Sequence, residues 1–185
     1  RLRGGSTGLP VFAVGRIGSA LVFDGSDDYV EMPVGIANYQ DLTIAAWVWW
    51  EGGANWQRIF DIGSEIEKSL FLTPSTGSAM RFSITTSRGQ EGTGILEGPP
   101  LPAGRWVHVA VTLGGDIGHL YVDGHEVDTA VIDAVDPLFA QVFCYLGRSM
   151  YNSDPLFRGK MDDFRIYNVA LTVEEVANLA TNSHR

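Results

Sequence analysis

Apolar residues fall into short runs along the chain, each closed by Gly, Pro, Asp or Asn: 20–23, 29–32, 42–50, 58–62, 70–73, 80–85, 106–113, 119–122, 142–146 and 161–167. In 106–113, Val107, Val109, Val111 and Leu113 share one face, and Trp106, His108, Ala110 and Thr112 share the other. That period of two predicts a strand with one face in a core. The run 42–50 is apolar on both faces, which predicts a central strand covered on both sides. Asp123-Gly124 supplies the positive φ angles of a two-residue hairpin turn, pairing Val122 with His125, Leu120 with Val127 and His119 with Asp128. One helix is expected, near the C-terminus. Thr172 and Glu175 form a capping box there, ahead of an apolar stripe of Val173, Val176, Leu179 and Ala180. Many short strands at regular spacing predict an all-β sandwich or barrel.

Composition sharpens this picture. The 185 residues suit one domain, 1–185, and the pattern shows no internal boundary or linker. The 22 glycines, without collagen periodicity, fit many tight turns; Gly25, Gly124 and Gly159 are read as turn positions. Thirteen basic residues face 22 acidic ones, for a net charge of −9, and Lys68 and Lys160 are the only lysines. Nucleic acid and anionic membrane surfaces are therefore poor partners, since both need a concentrated basic face. No apolar run approaches the ~20 residues of a membrane span. Cys144 is the only cysteine, so an internal disulfide is excluded, and its alternation with Val142 and Leu146 places it in the core. The polar start at Arg1 is read as the edge of a piece of a longer protein, or of a mature form.

The order of motifs resembles the laminin-G-like, concanavalin A-like jelly-roll domains. The matching segments are 18–30 (GSALVFDGSDDYV), 42–48 (LTIAAWV), 56–59 (WQRI), 104–112 (GRWVHVAVT), 120–124 (LYVDG) and 159–168 (GKMDDFRIYN). The resemblance implies an all-β fold: two antiparallel sheets in a jelly-roll sandwich, with one short C-terminal helix. Residues 1–17 fill only part of the place where relatives carry an earlier strand. It also implies carbohydrate binding beside a catalytic domain, or adhesion to protein or glycan, and a calcium ion near the Phe-Asp-Gly and Asp-Asp strands.

The residues support a calcium reading directly. Calcium takes six to eight oxygens, carboxylates among them. Asp24, Asp27 and Asp28 form one cluster, and Asp162 and Asp163 another. Alternation places Asp162 on the face of Phe164 and Ile166, where a buried carboxylate needs a partner. Asp24, Asp28 and Asp162 are the candidate ligands. The competing reading is turn hydrogen bonds in the first cluster and an Asp163–Arg165 pair in the second.

For a saccharide, flat aromatic faces suit C–H-rich sugar faces while polar side chains read the hydroxyls. Trp56 and Asn55 qualify, in a loop that Gly52-Gly53 should leave exposed and pliable. Tyr151 and Asn152 qualify in the loop 148–154, and Arg88 with Gln90 in a third. Trp47 and Trp106 are expected in the core. Glycosidase chemistry needs two facing carboxylates. Glu65 and Glu67, with Asp61 upstream, offer a superficial match, but Gly63-Ser64 makes a solvated turn the better reading. His108 is expected to make a structural hydrogen bond, and no histidine spacing suits zinc. The sequence thus points to a non-catalytic carbohydrate-binding module, an accessory domain of a secreted, multidomain polysaccharide-active protein with structural calcium. An adhesion or structural module is the alternative, and a glycoside hydrolase a distant third.

Overall fold

The computed structural model describes residues 1–4, 9–65, 68–85, 94–132 and 142–181. Its strands form two antiparallel seven-stranded sheets. Sheet A runs β1 (Leu2–Arg3), β4 (Tyr29–Glu31), β13 (Phe143–Leu146), β6 (Phe60–Glu65), β7 (Lys68–Thr73), β8 (Met80–Thr85), β9 (Leu96–Gly98). Sheet B runs β12 (His125–Val131), β11 (Ile117–Val122), β10 (Trp106–Gly114), β5 (Leu42–Trp50), β14 (Arg158–Tyr167), β3 (Ser19–Asp24), β2 (Val11–Val14). The jelly-roll sandwich read from the sequence is the observed fold.

The core lies between the sheets and follows the alternation. Phe60, Ile62, Leu70, Leu72, Phe82, Cys144 and Leu146 from sheet A meet Ile44, Val48, Trp50, Val107, Val109, Val111 and Leu120 from sheet B. The run 42–50 is β5, flanked by β10 and β14 at the centre of its sheet. Its outward face is covered in part by α1 (Val173–Thr181), whose Val176 packs on Ala45, Ala110 and Tyr121. The capping box forms as expected: Thr172 N–H donates to Glu175 Oε2 at 2.8 Å, and Glu175 N–H to Thr172 Oγ1 at 3.3 Å. Val173 of the expected stripe is 48% exposed.

Several sequence expectations shift by one residue or one face. The Asp123-Gly124 hairpin pairs Val122 with His125, but a bulge between Leu120 and Tyr121 sets Leu120 opposite Asp128 and His119 opposite Thr129. The His119 side chain therefore meets Glu126, not Asp128. Trp47 is buried, but on the outer face of sheet B beside His108, not between the sheets; Trp106 is half-buried on that same face against Trp49. His108 is pushed down to about 4 by burial, and its Nδ1 has no hydrogen-bond partner among the described residues. Its structural tie is instead the backbone N–H, which donates to Asp123 Oδ1 at 2.9 Å. Within residues 1–17, β1 and β2 are short edge strands beside β4 and β3.

Gly159 is not at a turn. It sits inside β14 at φ 147°, where a Cβ would lie 2.0 Å from the Trp49 carbonyl oxygen. Only a residue without a Cβ lets β14 lie this close to β5. Gly159→Ala should therefore destabilise the fold by about 3 kcal/mol in a urea titration, through backbone displacement and strain. A change within 0.5 kcal/mol, roughly the scale of a neutral surface substitution, would show that the approach is not needed.

Candidate functional site

The outer face of sheet A carries the most chemistry. Where Phe60, Ile62, Leu70, Leu72, Cys144 and Leu146 point into the core, Asp61, Ser69, Phe71, Phe143 and Tyr145 point the other way. Tyr145 stands opposite Asp61 on one side and Glu31 on the other. Across this face lies the loop 147–157 between β13 and β14.

Two clefts open between loop and sheet, of about 240 and 250 Å³, and share Arg148 and Asn152 in their linings. The first adds Asp27, Tyr29, Tyr151 and Asp154; the second adds Phe143, Tyr145 and Met150. Together they make a groove with an aromatic floor. Tyr29 and Tyr145 meet edge to face at 5.7 Å, and Phe143 lies 6.0 Å from Tyr145 at an interplanar angle of 30°. The Arg148 guanidinium sits over both tyrosines, 4.6 Å from the Tyr29 centroid and 5.2 Å from that of Tyr145. It donates from Nη2 to Asn152 Oδ1 at 3.1 Å, one bond among the five N–H groups it owns.

Beneath the groove is a buried charge cluster. Arg58 is 2% exposed and Asp61 1%. Arg58 Nη2 lies 3.0 Å from Asp154 Oδ2, and Nε lies 3.7 Å from Asp61 Oδ2. Nη1 donates to the Trp56 carbonyl at 2.7 Å, and the guanidinium stacks 4.3 Å from the Phe71 centroid. Asp61 Oδ2 accepts the Met150 N–H at 3.0 Å. Burial raises Asp61 to about 6, against the opposing pull of Arg58, the Met150 N–H and the Ser69 hydroxyl.

At the groove's mouth, ligand oxygens of Asp24, Asp27 and Asp28 lie within 4.8 Å of one another. Asp24 Oδ1 accepts the N–H groups of Ser26 and Asp27, and Asp28 Oδ2 accepts that of Asp24. Asp28 Oδ1 is buried with no hydrogen-bond partner among the described residues. Burial raises the Asp28 pKa, and the charges of Asp24 and Asp27 add to the shift. These three residues could hold a hard cation. Asp162 is not with them. It lies opposite Trp47 and accepts the Ile17 N–H at 2.7 Å. Asp163, at φ 49°, pairs with Arg165 at 2.8 Å, as the competing reading held.

A sequence profile described as the Concanavalin A-like lectin/glucanases superfamily matches residues 24–177. The chain belongs to this superfamily. Mouse pappalysin-1 is 26% identical over 180 residues, a match covering 86% of this chain but only 11% of pappalysin-1. Domain 4 of AbnA, a GH43 extracellular arabinanase from Geobacillus stearothermophilus solved with arabinotriose, superposes with a TM-score of 0.83 at 24% identity. That match covers 98% of this chain and 87% of that one. The Ruminococcus gnavus sialidase CBM40 bound to α2,3-sialyllactose gives 0.68 at 13% identity, covering 82% and 96%. These two superpositions show the fold.

Within this superfamily fold, the saccharide candidates read from the sequence are dispersed. Tyr151 and Asn152 line the groove. Trp56 lies beyond Arg58, its ring 5.6 Å from that guanidinium and 5.7 Å from that of Arg81. Asn55 beside it is exposed. Their loop is pinned, not pliable: buried Gln57 donates to the carbonyls of Gly52 and Ala54 and accepts the N–H groups of Trp50 Nε1 and Arg158. Arg88, Gln90 and Glu67 lie outside the described residues, and Glu65 ends β6 opposite Lys68 at the hairpin. Sequence reasoning overlooked Tyr29 and Tyr145, although alternation with core residues Val30, Cys144 and Leu146 marks both as outward-facing. It considered Asp61 only as the upstream residue of a superficial glutamate pair that it set aside, and so missed its burial against Arg58.

Proposed function

We propose that this domain is a non-catalytic carbohydrate-binding module, an accessory part of a larger extracellular polysaccharide-active protein. The observation carrying this reading is Arg148, stacked on Tyr29 and Tyr145 and fixed by Asn152 in a groove with an apolar floor. Aromatic surface takes the C–H face of a sugar, and the planar guanidinium and amide read its hydroxyls. Tyr151 joins this set, while Trp56 and Asn55 are proposed as outlying contacts; Arg88, outside the described residues, remains a proposed contact without a place. The likeness to an arabinanase domain solved with arabinotriose supports a neutral pentose chain. Tethering such a binder to a catalytic domain raises local substrate concentration without new chemistry.

A structural calcium ion belongs to the same reading, held by Asp24, Asp27 and Asp28 without Asp162. The unpartnered Asp28 Oδ1 supports it, since a cation would relieve both its desolvation and the repulsion from its neighbours. One observation favours the adhesion alternative. Edge strand β2 exposes Val11, Phe12 and Val14 at 61, 66 and 87%. A bare apolar edge suits contact with a neighbouring domain.

Calorimetric titration should show arabinotriose binding more tightly than sialyllactose, with no reducing sugar released. Tyr145→Ala and Arg148→Ala should each weaken arabinotriose about tenfold while circular dichroism stays unchanged, a loss near 1.4 kcal/mol. Undiminished affinity in both variants would remove the site from this groove. Calcium at about a hundredfold excess over its Kd should raise the melting temperature by about 5 °C or more over chelated protein, and Asp28→Asn should abolish the rise. Identical melts with calcium and chelator would refute the ion.

A further inference from the structure

A further cleft, of about 380 Å³, opens on the outer face of sheet B beside the first turn of α1. It is larger than either cleft over sheet A, and the saccharide groove does not reach it. Its floor belongs to the hairpin of β11 and β12. Tyr121 stands opposite Glu126 and Leu120 opposite Asp128, so Val127 is the extra residue of a bulge. The bulge puts Asp128 on the side of core residue Leu120, where its Oδ2 accepts the Glu97 N–H at 2.8 Å. Glu126 stays with Tyr121 on the outer face, and it is the only carboxylate in the lining among the described residues.

Glu126 Oε2 lies 2.8 Å from His119 Nδ1, while its Oε1 makes no hydrogen bond among the described residues. The Glu126 side chain is 39% exposed, within reach of a partner. Aliphatic side chains wall the cleft: Ile117 on one side, Leu171 and Val173 on the other. Val131 stands opposite Ile117 and extends that wall. Ile117, Val131 and Val173 remain 47, 63 and 48% exposed, a patch that a soluble surface does not need. No Lys or Arg lines the cleft, and Asp116 beside Ile117 and Glu174 beside Val173 carry the same sign as Glu126. The positive end of α1 points here too, but Glu174 and Glu175 in the first turn offset it.

A free carboxylate oxygen among aliphatic walls, in acidic surroundings, selects a cation carried on an apolar stem. Arginine meets this better than lysine, because its guanidinium is less strongly hydrated and its planar fork matches a carboxylate. We propose that this cleft is a docking site for a partner protein, receiving an arginine side chain flanked by aliphatic residues. The guanidinium pairs with Glu126, the stem lies along Leu171, and the flanking residues cover Ile117, Val131 and Val173. The site is separate from the saccharide groove and does not depend on it.

The test is NMR of the uniformly ¹⁵N-labelled domain titrated with the peptide acetyl-Leu-Arg-Leu-amide. Saturable amide shifts should appear at His119, Glu126, Leu171 and Val173. The same peptide with citrulline, uncharged but of the same shape, should bind about fivefold more weakly, the worth of a half-exposed ion pair. Salt at about 1 M, where screening acts within ~3 Å, should remove that preference, and so should Glu126→Gln. Equal binding of the two peptides to the wild type would overturn the proposal, whether or not the variant folds. So would the absence of saturable shifts at millimolar peptide. Shifts of these amides that grow with protein concentration alone would give the face to a second copy of this chain, and shifts there with arabinotriose would give it to a saccharide. Either result would overturn the arginine site.

Discussion

The outer face of sheet A is organised by one buried cation. A guanidinium at 2% exposure is tolerable only where carboxylates, carbonyls and aromatic faces replace its water. Arg58 finds all of these: Asp61 and Asp154, the Trp56 carbonyl, and the ring of Phe71. Each partner belongs to a different segment, so satisfying this one charge joins β6, β7, the loop before β6 and the loop before β14. Removing either carboxylate would leave Arg58 paired with the other one. The loop carrying Arg148, Tyr151 and Asn152 is therefore held from beneath by this cluster, as well as by its own turn from Asp154 N–H to the Tyr151 carbonyl and the anchor of Gly147 N–H on Ile59.

The two sheets divide the remaining work. Their inner faces form an apolar core of ordinary alternation. The outer face of sheet B is covered in part by α1 on Ala45, Ala110 and Tyr121, beside a cleft of about 380 Å³ lined by His119, Tyr121 and Leu171, and elsewhere by Trp47 against His108, with cations over Trp47 and Trp49. Sheet A has no helix on its outer face among the described residues, and an irregular loop covers it instead. The loop crosses Tyr29, Phe143 and Tyr145 and leaves the two clefts of the groove between itself and the sheet.

Much of the sandwich was legible because burial imposes a period of two. The run 42–50 is β5 residue for residue, and the Asp123-Gly124 turn and the Thr172–Glu175 cap lie where their local chemistry puts them. Bulges defeat the same logic. Asp162 was assigned to the face of Phe164 and Ile166. An irregularity between Asp162 and Arg165, with Asp163 at φ 49°, inverts the phase and turns Asp162 outward. The expected union of Asp162 with Asp24 and Asp28 fails on register instead: Asp24 lies opposite Arg158, four residues before Asp162 along β14. Tyr151 and Asn152 were visible as polar and aromatic residues in a loop. Tyr145 was visible in principle, as the outward residue between Cys144 and Leu146. The hold of Asp61 on Met150 was not, since it joins residues 89 apart and depends on a tertiary approach that no local pattern encodes.

A saccharide on the outer face of sheet A would be seen by amide chemical-shift mapping during an arabinotriose titration. Saturable shifts should concentrate at Tyr29, Tyr145, Arg148, Tyr151 and Asn152, with sheet B silent. Saturable shifts confined to the Trp49 and Trp106 face of sheet B, or none anywhere at millimolar ligand, would contradict it.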